Sequence, residues 1–264
     1  IDLSFECPKP VLGKGAFGEV TLQKYQGMHV AVKALNRHSS MEEVLREVLC
    51  IINIRPHKYL PIVHGISVDQ KPPLIIFKFY GSTSNKKSTT LQYFLRKLLT
   101  DHAGSTCEGA GSADKINLET EIMRVAVYVC QALQHIHSCD YLHGDIKSDN
   151  ILIVREGFSL IPKIIDFGKS CKISNPTYSC VVVNNEAEYN DKKLVYRHMA
   201  KELFFGSPRS IETDIFAYGV LLNDVLKALR RNDTSFAVLV EQALSDSPEN
   251  RPGLVKITDV IQHA

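Results

Sequence analysis

Apolar positions change their spacing partway along this chain. In the first third they come in short β-rich runs, Val11-Leu12, Glu19 to Tyr25 and His29 to Leu35, separated by glycine turns. A further buried run spans Leu74 to Phe79. Between them, Ser39 and Ser40 precede Glu42 and Glu43 by three residues, a capping-box pattern. Val44, Leu45, Val48, Leu49 and Ile52 then recur at helical spacing and predict one amphipathic helix. Gly81 to Thr90 is polar, and Ala103 to Asp114 reads as a Gly/Ser-rich flexible loop. Beyond it Ile122, Val125, Ala126, Val129, Leu133 and Ile136 mark a helix, and Glu212 to Leu229 and Phe236 to Leu244 are helical in pattern. The expectation is a strand-rich small lobe followed by a helix-rich larger one, divided near residues 78–82, without internal repeats.

A hairpin interrupts the helical part. Ile151-Leu-Ile-Val154 and Leu160 to Ile165 are apolar runs joined by a short turn-prone link. Asn150 stands just before the first strand and Asp166 just after the second, so antiparallel pairing brings an amide oxygen and a carboxylate together. Hard oxygen ligands of this kind suit Mg²⁺ carried in with a nucleotide. Asp145 lies five residues before Asn150, close enough to face the same opening, and Gly168 lets the chain turn away after Asp166.

Two upstream places complete the pattern. Gly13-Lys-Gly15-Ala-Phe-Gly18-Glu-Val20 has glycines whose amides can approach phosphate oxygens closely. Glu19 after Gly18 excludes a Walker loop, and a following hairpin instead of a helix excludes a dinucleotide-binding turn. The glycines are therefore expected to form a flap between two strands. Lys33 lies inside an apolar alternating strand, where burial requires a partner. At about 100° per residue, Glu47 falls at the margin of the helix's apolar stripe and Glu43 farther out, so Glu47 is the expected partner. Each feature also has a plainer reading: a glycine turn, a snorkelling lysine, Asp145 or Asp149 capping a turn, Asn150 at a strand end. Surface polar residues seldom produce the whole set in this order.

Composition adds limits. The chain has 264 residues, 44% hydrophobic and 23% charged, as in ordinary soluble globular proteins. A net charge of +2 neither demands nor excludes nucleic acid. No apolar run approaches the roughly 18 residues of a membrane span, and no signal peptide opens the chain. The start at Ile1 suggests part of a longer protein. Seven cysteines without a CxxC pair read as reduced thiols in a cytoplasmic setting, with no structural zinc expected.

Taken in order, the glycine loop, Ala31-Val-Lys33, Glu47, His143-Gly-Asp145-Ile-Lys147-Ser-Asp-Asn150 and Asp166-Phe-Gly168 resemble the eukaryotic protein kinase family along nearly the whole chain. Met199-Ala-Lys-Glu202 stands where the family has Ala-Pro-Glu; Thr213 to Gly219 and Glu249-Asn-Arg251-Pro follow. "HGDIKSDNILI" looks most like the tyrosine-kinase-like group, including Pelle-type and plant receptor-like kinases.

The resemblance implies an α+β bilobal fold: an N-terminal ATP-binding lobe over residues 1–80 and a C-terminal catalytic and substrate-binding lobe over 81–264. It implies transfer of the γ-phosphoryl group of Mg-ATP to a Ser/Thr hydroxyl of a protein substrate. The loop Leu12, Gly13, Lys14, Gly15, Ala16, Phe17 and Gly18 would cover the phosphates, and Lys33, held by Glu47, would grip them. Val20, Ala31, Phe77, Lys78, Phe79 and Tyr80 would enclose the adenine, Phe77 narrowing the back pocket. Asn150 and Asp166 would hold Mg²⁺, Asp145 would orient the acceptor hydroxyl and take its proton, and Lys147 would offset charge on the transferred group. Glu202 would pair with Arg251, and Asp214 would brace the catalytic loop. The implied partners are ATP and a protein substrate, with no nucleic acid and no membrane contact; oligomeric state stays open.

The chain also departs from the family. Gly144 replaces the arginine that in relatives meets a phosphate on the activation segment, so activity is expected not to require a phosphate clamped there. Ser170, Ser174, Thr177, Tyr178 and Ser179 are possible phosphate acceptors or simply solvated loop residues. Val195 occupies the place of a threonine that braces the catalytic aspartate; Lys201 replaces a proline and Phe216 a tryptophan. The interval from Leu226 to Phe236 looks too short for the family's extra helix. A pseudokinase scaffold and a small-molecule phosphotransferase are the competing readings.

Overall fold

The computed structural model describes residues 3–4, 9–15, 18–36, 41–54, 56–69, 71–104 and 112–262. The first part builds β1 (Leu3–Ser4), β2 (Val11–Gly15), β3 (Gly18–Tyr25), β4 (Met28–Leu35), α1 (Met41–Asn53), β5 (Val63–Ser67) and β6 (Leu74–Lys78). The strands form one antiparallel sheet in the order β1-β3-β4-β6-β5, with β2 also paired to β3. Alternation along β4 explains its two faces. Val30 and Val32 pack with Leu74 and Ile76 on one side, while Ala31 and Lys33 point to the other.

The second part is mainly helical: α2 (Leu91–Gly104), α3 (Ser112–Ser138), β7 (Tyr141–Leu142), β8 (Ile151–Glu156), β9 (Ser159–Ile164), β10 (Cys171–Lys172), α4 (Glu186–Val195), α5 (Lys201–Phe204), α6 (Ile211–Ala228), α7 (Thr234–Ala243) and α8 (Leu254–Gln262). Its core lies around α3 and α6, where the Tyr218 hydroxyl donates to the Ala126 carbonyl at 2.9 Å. Ile51 and Ile54 at the end of α1 join that same core and so tie the two lobes together. The expected α+β bilobal architecture is thus present.

Several details differ from the sequence reading. Of the expected apolar stripe of α1, Val48 is buried but Leu45, Leu49 and Ile52 are exposed, while Glu47, Cys50 and Ile51 are buried in their place. Sheet contacts favour the face carrying the ion pair. Strand β6 stops at Lys78, leaving Phe79 outside it. Strand β5 and helix α2 were not anticipated, β5 because Val63-His-Gly-Ile-Ser67 lacks clean alternation. Helix α3 begins at Ser112, so the tail of the expected flexible loop is helical. Ser39 and Ser40 of the capping-box pattern lie outside the described residues. The short interval after Leu226 matches the structure, with α6 ending at Ala228 and α7 starting at Thr234.

Candidate active site

Between the lobes lies a cavity of about 510 Å³. Its roof is the β2–β3 hairpin, where Gly15 pairs with Gly18 across the tip. A Cβ at Gly13 or Gly15 would meet nothing within 4 Å, so these glycines leave free space beneath the hairpin. Gly18 is different: it has φ +143°, and a Cβ there would lie 2.0 Å from the Ala34 carbonyl oxygen. That glycine is required by the close approach of β4. Leu12, Lys14, Val20, Ala31, Phe77, Lys78 and Tyr80 also line the cavity. Phe79 does not; it is buried and packs near His29, with ring centres 6.4 Å apart, which corrects its expected place. Ala16 and Phe17 lie outside the described residues.

Lys33 is buried, and its ammonium donates to both Glu47 oxygens at 2.9 Å and to Asp166 Oδ1 at 2.9 Å. Burial alone would lower the lysine's pKa, but the two carboxylates outweigh it and hold it above its ordinary value. Lys33 and Asp166 therefore open onto one cavity from opposite lobes.

The floor follows from the β8–β9 hairpin. Ile151 pairs with Ile164, and the Ile165 amide donates to the Asn150 carbonyl at 2.9 Å, which sets Asn150 beside Asp166. Asp166 takes φ +65°, a conformation aspartate tolerates better than most residues. Phe167 behind it is fully buried against the edge of His143, ring centres 4.7 Å apart. The Asn150 amide nitrogen donates to the Asp145 carbonyl at 2.8 Å and to Asp145 Oδ2 at 3.1 Å. Among the described residues its amide oxygen accepts no hydrogen bond.

Asp145 is nearly enclosed and ringed by cations. Lys147 donates to Oδ2 at 2.9 Å, and Lys169 donates to Oδ1 at 2.7 Å. His198 Nε2 lies 3.0 Å from Oδ1. Burial alone would raise the carboxyl's pKa, but His198, Lys169 and Lys147 hold it well below the usual carboxylate range. Lys169 and His198 were missed in the sequence. They belong to an irregular stretch with no periodic signal, although Lys169 directly follows the Asp-Phe-Gly triplet. Val195, expected to lack the family's threonine brace, is exposed, and His198 three residues on reaches Asp145.

Asp214, at the start of α6, accepts the His143 and Gly144 amides at 2.9 Å each and His137 Nε2 at 2.9 Å. The expected brace of the loop before Asp145 is therefore in place. Ser210 positions it: its hydroxyl caps the Thr213 amide, and Thr213 returns a bond to the Ser210 amide. Arg251 donates to Glu202 through both terminal nitrogens, at 2.6 and 2.9 Å, as expected. Among the described residues no cluster of three or more His, Cys, Asp or Glu side chains could hold a metal by itself.

The chain matches the family described as protein tyrosine and serine/threonine kinase over residues 8–242. It is 29% identical, over 87% of its length, to a G-type lectin S-receptor-like serine/threonine-protein kinase of Arabidopsis thaliana. A second kinase of that description from the same plant is 30% identical over 83% of the chain. A probable serine/threonine-protein kinase of Dictyostelium discoideum is 24% identical over 81%. The chain spans only 25%, 23% and 11% of those relatives' lengths. The site geometry and the family match converge: this chain belongs to the protein kinase family.

Proposed function

We propose that this chain is a protein serine/threonine kinase domain that transfers the γ-phosphoryl group of Mg-ATP to a protein hydroxyl, with residues 1–80 binding nucleotide and 81–264 carrying catalysis and substrate. The observation that carries this reading is the meeting of Lys33, Glu47, Asp145, Asn150 and Asp166 on one cavity under a glycine hairpin. The space left open at Gly13 and Gly15 fits a triphosphate, and the cavity has an ordinary size for a small-molecule ligand. Asn150 and Asp166 offer two oxygen donors, too few for a stand-alone metal site but suited to Mg²⁺ held jointly with phosphates. Bound there, Mg-ATP supplies the phosphoryl group and part of the charge neutralisation.

The chain's own groups supply positioning. Lys33 keeps its charge because two carboxylates fix it. Asp145, strongly acidic, is a weak base in the resting site. Its role is to orient the acceptor hydroxyl and take the proton as the new P–O bond forms. Lys147 and Lys169 stand where they offset charge on the transferred group. The Lys147 placement, together with the relatives' names, supports Ser/Thr over Tyr acceptors. The His-Gly-Asp sequence makes this a catalytic loop without the usual arginine. The free cysteines, with burial pushing Cys50 up to about 12 and Cys130 up to about 11, fit a reducing, cytoplasmic setting.

The test is Mg-dependent phosphate incorporation into a generic basic protein by the wild type and Asp145→Asn. Turnover should drop roughly 10²–10⁴-fold with nucleotide affinity retained. Undiminished transfer by the variant would sink the assignment, and absence of transfer by the wild type would favour a nucleotide-binding scaffold.

A further inference from the structure

Gly144 has φ +74°, and a Cβ added there would lie 2.7 Å from the Lys169 carbonyl oxygen and 3.0 Å from Cδ and Nε of Arg209. Arg209 comes from the loop just before α6. We infer that Arg209 is a positioning residue that occupies the side-chain space vacated at Gly144 and fastens the activation segment beside Asp145 without any phosphate.

The contacts define the fastening. One terminal nitrogen of Arg209 donates to the Thr177 hydroxyl at 2.8 Å and to the Tyr178 carbonyl at 2.7 Å. The Arg209 amide donates to the Thr177 carbonyl at 2.9 Å, and Tyr178 forms a β-bridge with Pro208. Arg209 is only 9% exposed, no ion pair involves it among the described residues, and its buried Nε has no hydrogen-bond partner. A buried guanidinium is costly unless acceptors surround it. Here its side-chain acceptors are neutral oxygens of the segment itself, so releasing the segment would strand a desolvated cation.

Both ends of the segment are pinned separately. Ile173 donates to the Asp140 carbonyl at 3.0 Å and Val183 to the Phe204 carbonyl at 2.9 Å. Arg209 grips between them. The same segment later supplies His198 to Asp145, so its placement bears on the base. That catalytic consequence rests on the kinase reading; the ordering of the segment does not.

The experiment compares the whole chain as purified, the same chain after phosphatase treatment, Arg209→Ala and Arg209→Gln, the last keeping much of the side chain's bulk should Arg209→Ala fail to fold. Amide hydrogen exchange is read over 174–181 and, as a control, over the β8–β9 hairpin; kcat and KM are read for protein substrate and for ATP. Loss of the charge-assisted bonds to the part-buried Thr177 hydroxyl and Tyr178 carbonyl predicts exchange roughly tenfold faster over 174–181, with the hairpin unchanged. KM for protein substrate should rise while KM for ATP stays within about twofold. Phosphatase treatment should change neither readout. Unaltered exchange in Arg209→Gln would overturn the inference, as would a phosphatase-treated chain that loosens like the variants. Loosened exchange in the variants, with no phosphoryl transfer by the wild type, would sink the kinase reading and leave Arg209's role intact.

Discussion

His143 is held by two hydrogen bonds that only one protonation state permits. Its Nδ1 accepts the Asp145 amide at 3.2 Å, and Nε2, 3.3 Å from the Ile165 carbonyl, must then carry the hydrogen. The ring is fully buried, and burial lowers its pKa despite Asp214, Asp145 and Asp166 nearby. In the unfolded chain a histidine takes up a proton near pH 6.5. Between that value and the lower native one, the unfolded state binds a proton that the native state refuses. The contribution of this residue to stability should therefore fall as pH drops below about 6.5, by at most about 1.4 kcal/mol per unit, and be constant above pH 7.5. Denaturant unfolding of wild type and His143→Asn between pH 5 and 7.5 reads this as a difference, because Asp145 loses its contribution only at more acid pH while Glu47, raised by burial, adds a slope of the opposite sign in both proteins. His57, also lowered by burial, adds a slope of the same sign as His143. His143→Asn should flatten the profile but not abolish the slope; an unchanged profile would refute the account. At this scale the sequence showed the residues that carry chemistry in a fixed order, Lys33, Asp145, Asn150 and Asp166. It hid Lys169, His198 and Arg209, whose roles depend on where an irregular segment comes to rest.

Helix α1 shows why element-level reading succeeds in part. Spacing correctly announced the helix and put Glu47 near its buried margin, yet the rotation was off, leaving Leu45, Leu49 and Ile52 in solvent. Periodicity reports that one face is apolar; it cannot report that the opposing strand carries a lysine needing a carboxylate. The β8–β9 hairpin was more legible because two short apolar runs joined by a turn-prone link fix both strands and their paired ends at once. The Lys33–Glu47 pair should behave as buried ion pairs do. Glu47→Ala removes the carboxylate that takes two of the Lys33 hydrogen bonds and should cost about 3–5 kcal/mol of stability. Lys33→Met combined with Glu47→Leu should return to within about 1 kcal/mol of wild type while losing nucleotide affinity. Urea unfolding of the single and double variants decides it, and a double variant as unstable as the single one would show that the pair itself, not the stranded charge, stabilises the lobe.

Over the whole molecule, the lobes were legible because the change from two-residue to helical spacing is long and sustained. What joins distant parts of the larger lobe was visible only through family resemblance. Arg251 is that joint. Its side chain is fully buried, and besides Glu202 it donates to the Ser245 and Glu212 carbonyls at 3.0 Å each and lies over the Phe216 ring at 5.1 Å. Phe216 is thus part of the cation's seat. One guanidinium thereby links α5, the start of α6 and the stretch after α7, elements far apart in sequence. Lysine keeps the charge but has neither the planar fork for Glu202 nor the reach to two carbonyls in different directions. Arg251→Lys should therefore cost about 2–3 kcal/mol, since buried acceptors lose their donors, and Arg251→Ala about 3–5 kcal/mol. Because α5 follows directly on the activation segment, hydrogen exchange in both variants should rise at 199–206 before it rises in the sheet around Lys33. A lysine variant as stable as wild type would mean that charge alone, not the fork, fastens this corner of the molecule.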